Sequence, residues 1–110
     1  MPTLQELQKP IDSAIVSSMI ESTPESWTEI VLTLVRAKPP EVVGGFTHEL
    51  SSPEGHPSVG AAESLFEATY HLDQLFQARG AVFSHATYVA KASEGSWSYS
   101  VEFKYESPAL

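Results

Sequence analysis

The residues to weigh first for chemistry are four histidines, because imidazole serves both as a metal ligand and as a base near neutral pH. His48 stands beside Glu49 in a stretch with strand character, so the two side chains point to opposite faces. His71 lies two residues from Asp73 on a helical pattern, a spacing that does not share a face. His56 falls in a Ser/Pro/Gly loop, and His85 falls in a later strand. None has a second ligand at i+2 on a strand or at i+3 or i+4 on a helix, so the sequence predicts no metal and no cofactor. Serines are abundant, yet no Gly-x-Ser-x-Gly elbow offers a nucleophile, and Gly44-Gly45 precedes no helix that would cradle a phosphate. Glu63 and Glu67 lie one turn apart, which fits the solvated face of an amphipathic helix better than an acid–base couple. No residue is singled out as catalytic, and binding is the leading expectation.

Aromatic residues supply the other candidates. Trp97, Tyr99, Phe103 and Tyr105 occupy alternate positions, the period of a strand with one face on a core. They read as that core face, covered by Leu65, Leu72 and Phe76 of a helix. A second reading makes the same region the cleft of a small-ligand-binding module or a small enzyme, between the aromatic hairpin and the central helix, with His85, Tyr88 and Tyr99 as its polar groups. Trp27 sits at a strand entrance among Glu21, Glu25 and Glu29, and is the candidate anchor for a partner.

These residues must be held by six elements. Thr3-Leu4-Gln5-Glu6 fits a capping box, and the spacing of Ile11, Ala14, Ile15, Ser18 and Met19 predicts a helix with Asp12 and Glu21 on its polar face. Pro10 predicts an interruption or kink near the start, and Thr23-Pro24 a stop near Ser22. A strand is predicted over 27–36, and a second over 42–50 unless Gly44-Gly45 is itself the turn. Ser51 to Ser58 reads as loop. A helix follows over 61–79, with Ser58 as possible N-cap and with Glu63, Glu67, Asp73 and Gln77 facing outwards. Strands over 81–90 and 96–106 flank Lys91-Ala92-Ser93-Glu94-Gly95 and close the chain as an antiparallel hairpin. The order α-β-β-α-β-β predicts an α+β fold: one domain, residues 1–110, with a four-stranded, mainly antiparallel sheet and both helices on one face.

Composition narrows the function. Hydrophobic residues make up 42 % of the 110, enough for a core without crosslinks, and the absence of cysteine excludes disulfides and thiolate metal sites. No apolar run approaches the roughly 20 residues that span a bilayer, and the first residues lack a signal-peptide pattern. A cytoplasmic protein without a membrane partner is expected. Fourteen acidic against six basic side chains give a net charge of −8, which disfavours nucleic acid and favours a basic partner. The same charge also fits an ordinary acidic soluble protein.

A helix ending in Pro24-Glu25-Ser26-Trp27 flows into the strand from Thr28 to Val35. After a central helix, two aromatic strands close with Phe103-Lys104-Tyr105-Glu106. In this order of elements, over most of its length, the chain resembles the YezG-like antitoxin and immunity proteins of bacterial polymorphic toxin systems, which are small, acidic α+β proteins. The resemblance implies a protein without catalysis that binds and neutralises a cognate toxin, commonly a nuclease. An acidic surface occupying the toxin's basic cleft gives that role a mechanism. Charge and expected exposure nominate Glu21, Glu25, Glu29, Glu63 and Glu67 for the contact, with Trp27 as anchor. A third reading is a structural domain that pairs into a homodimer through a sheet edge or an uncovered sheet face.

Overall fold

The computed structural model describes residues 3–39, 42–55 and 59–105. Over these the chain runs α1 (Leu4–Ser22), β1 (Glu29–Arg36), β2 (Phe46–Ser51), α2 (Glu63–Ala78), β3 (Phe83–Ser93) and β4 (Ser96–Tyr105). The strands form one antiparallel sheet in the order β2-β1-β3-β4, so the predicted α+β architecture is present.

Thr3 caps α1 by accepting the Glu6 amide at 3.1 Å. Pro10 does not break this helix, which runs on through it to Ser22. The proline removes one amide donor from the ladder. Burial of Ile15, Val16 and Met19 against the sheet holds the helix together beyond that gap. Thr23 is extended ahead of Pro24, as predicted for a residue before proline, and its hydroxyl donates to the Met19 carbonyl at 3.0 Å.

The predicted second strand is shorter than its apolar pattern, because Gly44-Gly45 is the turn. Gly44 has φ +75°, and a Cβ there would sit 3.1 Å from the Tyr70 backbone of α2, so the turn needs glycine both for its dihedral and for this close approach. Ala62 precedes α2 without a side-chain cap; its own amide donates to Ser22 Oγ of α1 at 3.0 Å. Ser58, the expected N-cap, lies outside the described residues, as does Glu106 at the expected end of the last strand. The last hairpin is tighter than the predicted five-residue loop. Ser93 pairs with Ser96, leaving Glu94 (φ +50°) and Gly95 (φ +83°), both in the positive-φ conformation of a two-residue hairpin turn.

Both helices pack on one face of the sheet. The layer between them contains Ile15 and Met19 of α1, Leu65, Leu72 and Phe76 of α2, and Ile30, Leu32 and Leu34 of β1. Fully burying one such Leu or Ile contributes about 1.5–3 kcal/mol. The opposite face of the sheet carries Val31, Thr33 and Val35 in the middle, flanked by Thr47 and Glu49 on β2 and by Ser98, Ser100, Glu102 and Lys104 on β4.

Two carboxylates predicted to face water are buried instead, Asp12 at 5 % exposure and Asp73 at 0 %. Each is held by donors from outside its own helix, which satisfies a group that burial would otherwise penalise. Asp73 takes the guanidinium of Arg36 and the Gly44 amide, and Asp12 takes two tyrosine hydroxyls.

Candidate functional site

The aromatic cleft comes first. Tyr88 of β3 and Tyr99 of β4 lie on the helix-facing side of the sheet, since Tyr99 pairs with Ala90, two residues beyond Tyr88. Their hydroxyls converge on Asp12 of α1: Tyr88 donates to Oδ1 at 2.6 Å and Tyr99 to Oδ2 at 3.4 Å, while Gln8 Nε2 donates to both oxygens. Burial raises the Asp12 carboxyl above its usual value against the pull of these donors. Burial and the adjacent carboxylate raise both phenols above their usual value.

A polar hollow of about 330 Å³, lined by Gln5, Gln8, Lys9, Asp12 and Tyr99, opens at this point. It lies between the hairpin and α1, not between the hairpin and the central helix as expected. The expected space is filled by rings: Phe76 of α2 stands 5.3 Å from Phe83 and 4.9 Å from Phe103. His85 is on the other face of the sheet, exposed and bonded to its neighbour Ser84. Of the expected trio, only the two tyrosines meet. The carboxylate that joins them was not nominated by the sequence, although Asp12 sits three residues before Ile15 and seven before Met19, on the buried stripe itself. With three side chains already donating to it, Asp12 is a strut between α1 and the hairpin.

His48 and Thr69 join β2 to α2, with Nε2 and Oγ1 2.8 Å apart. The Thr69 hydroxyl also reaches the Phe66 carbonyl at 3.1 Å, and the other ring nitrogen of His48, Nδ1, is buried. That buried Nδ1 has no partner, and burial holds the imidazole below its usual value. Among the described residues, no three His, Asp or Glu side chains gather as a metal site. No helix of the described residues is long and apolar enough to cross a membrane.

The acidic candidates have a different arrangement. Three bonds tie their segments together at one end of the molecule. Ser22, at the end of α1, accepts the Ala62 amide before α2. Glu54, beyond β2, accepts the Thr28 amide before β1 at 2.9 Å. The Ala92 amide of β3 donates to the Thr28 carbonyl at 2.8 Å. Glu21, Glu25, Glu29, Glu54, Glu63 and Glu94 therefore belong to five chain segments that meet at this end, and Glu67 follows one turn into α2. Lys91 lies opposite Glu29 in the β1–β3 register, a cation at this end. Glu21, Glu25, Glu63 and Glu67 are exposed, and Glu29 is half-buried.

Glu54 is the rigid member of this acidic end, and the sequence did not nominate it. Its carboxylate accepts from the Thr28 amide, the Thr28 hydroxyl at 2.6 Å, the Glu29 amide and the Ser52 hydroxyl. The Thr28 hydroxyl and amide foremost hold it down to about 2.

Trp27 does not belong to this surface. The turn closed by its amide on the Pro24 carbonyl at 3.0 Å directs the ring inward, where it is 3 % exposed and part of the core. The anchor role expected of it needs a ring on the surface; its glutamate neighbours suggest an interface, whereas the apolar strand that follows it decides its place. Comparison with known proteins finds no family model that matches this chain, and no curated protein matches it.

Proposed function

We propose that this protein is a non-catalytic inhibitor that binds a basic, nuclease-like protein toxin through its acidic end. The observation that supports the reading is the meeting of Glu21, Glu25, Glu29 and Glu63 from separate elements, with Lys91 opposite Glu29. The clamp of Glu54 on Thr28 and Glu29 fixes part of that surface before any partner arrives, which lowers the ordering cost of association. Carboxylates spread over a preformed surface accelerate encounter with a basic cleft and select against acidic partners. The resemblance to YezG-like immunity proteins points the same way. Trp27 acts behind the surface, fixing the turn that carries Glu25.

The test is paired capture from the native host's lysate. One variant reverses charge at the acidic end (Glu21→Lys, Glu25→Lys, Glu63→Lys), and a control reverses it on the open sheet face (Glu49→Lys, Glu102→Lys). A basic protein retained by the wild type and the control, lost by the first variant and released by salt, supports the reading. A partner retained equally by both variants overturns it.

A further inference from the structure

The two edges of this sheet differ. β2 has six residues, and the edge beyond it is partly occupied by Val59, which bridges to Leu50. β4 has ten residues, no proline and, among the described residues, β3 on one side alone. Natural sheets blunt such edges by shortness, proline, bulges, cover or charged side chains, and of these β4 has only Glu102 and Lys104, both on the face away from the helices. The one register shift in the β3–β4 pair lies on the β3 side, between Phe83 and His85. The helix-facing row of β4 is also under-covered: Tyr99 and Tyr105 are 39 % and 55 % exposed, and Trp97, Val101 and Phe103 are half-buried.

We propose that β4 is a homodimerisation edge, pairing antiparallel with β4 of a second copy to make one continuous eight-stranded sheet. The sequence of the strand is suited to itself. With Val101 opposite Val101 of the partner copy, Tyr99 faces Phe103 and Trp97 faces Tyr105, so every apolar residue of the row meets an apolar one. On the other face Ser100 lies opposite Glu102, and Ser98 opposite Lys104. Shifting the pairs by two residues either sets Glu102 against Glu102 or leaves Tyr105 without an apolar counterpart.

Charge distribution agrees with this orientation. Glu29 and Glu94 lie at one end of the sheet and Lys104 at the other, with Lys9 in the amino-terminal half of α1, away from the acidic end. Antiparallel pairing sets each acidic end alongside the partner's half of mixed charge, where Lys9 and Lys104 lie beside Glu6 and Glu102. Parallel pairing would set acid beside acid. The overall charge of −8 per copy is screened beyond about 8 Å at physiological ionic strength, so these nearby groups count most.

The test reads mass against concentration by light scattering and sedimentation. Wild type is expected to pass from monomer to dimer as concentration rises. Ser100 is exposed and can be changed without disturbing the core. Ser100→Glu, placing like charges opposite each other, is expected to weaken the dimer at least about twofold, counting two symmetry-related pairs. Ser100→Lys, facing Glu102, is expected to tighten it. Because the chain has no cysteine, Val101→Cys provides a single crosslinking position, and rapid disulfide formation between copies reports the centre of the pairing. A wild type that stays monomeric at millimolar concentration overturns the proposal. So does a dimer indifferent to both Ser100 changes. Neither result bears on whether the acidic end binds a basic protein, since that capture is read separately.

Discussion

Arg36 and Asp73 form a buried bidentate ion pair that joins β1 to α2. Nη2 reaches Oδ1 at 2.9 Å and Nη1 reaches Oδ2 at 3.3 Å, with the two side chains 4 % and 0 % exposed. Further bonds and a ring contact hold the pair in place. The Arg36 Nε donates to the Phe83 carbonyl, the Gly44 amide and Gln77 donate to Asp73, and the guanidinium lies 4.7 Å over the Phe46 ring.

Breaking this pair from one side leaves a buried charge. Arg36→Met is expected to destabilise the fold by about 3–5 kcal/mol. The double change Arg36→Met, Asp73→Leu removes both charges and is expected to recover part of that loss. Urea denaturation of the three proteins checks it; equal stability of the single and double variants would falsify the coupling.

Trp27 is expected to behave as core. Trp27→Ala should cost about 3–5 kcal/mol in the same assay. In a Trp97→Phe background the remaining fluorophore should emit at short wavelength and resist acrylamide quenching. Emission typical of a solvated indole would return Trp27 to the surface.

His48 and Asp12 give the stability profile opposing slopes. Unfolded His48 takes up a proton near 6.5, while the folded ring does so only at lower pH. Its contribution is therefore complete above 6.5 and is lost as pH falls through the folded value. Unfolded Asp12 loses its proton near 3.8, and the folded carboxyl at higher pH. Stability from this group therefore declines as pH rises across that interval. Denaturation midpoints from pH 4 to 8 should lose the first slope in His48→Gln and the second in Asp12→Asn.

Glu54→Ala is expected to release the entry of β1. Hydrogen exchange should then quicken at the Thr28 and Glu29 amides, the two that Glu54 accepts. The wild-type clamp is fully present above about 4.5 and is lost as pH falls toward about 2, because its folded carboxylate is the more acidic one. Unchanged exchange at both amides would show that the loop holds without the carboxylate.

Periodicity made the sheet, the helices and their order legible, because apolar alternation in β1 and β4 and the three–four spacing in α2 follow directly from burial on one side. What escaped were positions where a distant partner overrides local chemistry. Asp12 and Asp73 lie at the spacing of the buried stripes but are charged, and only Tyr88 and Arg36 reveal what lets them stay inside. Pro10 looks like a helix break until the burial of Ile15 and Met19 is known. Glu94 takes a positive φ that the glycine beside it only half suggests. The acidic end was legible as composition, but its assembly from separate elements was not, since the Ser22–Ala62 and Glu54–Thr28 bonds cross between them.

The strand order β2-β1-β3-β4 also divides the folding problem. Each hairpin, β1–β2 and β3–β4, joins neighbours in the chain, so its closure is local and fast. The central seam pairs Ile30 with Ala90, and β2, α2 and most of β3 lie between them. Loop-closure entropy is therefore concentrated in this one long-range pairing. Cooperativity of the whole domain depends on that seam, because neither hairpin alone has a core to shelter it.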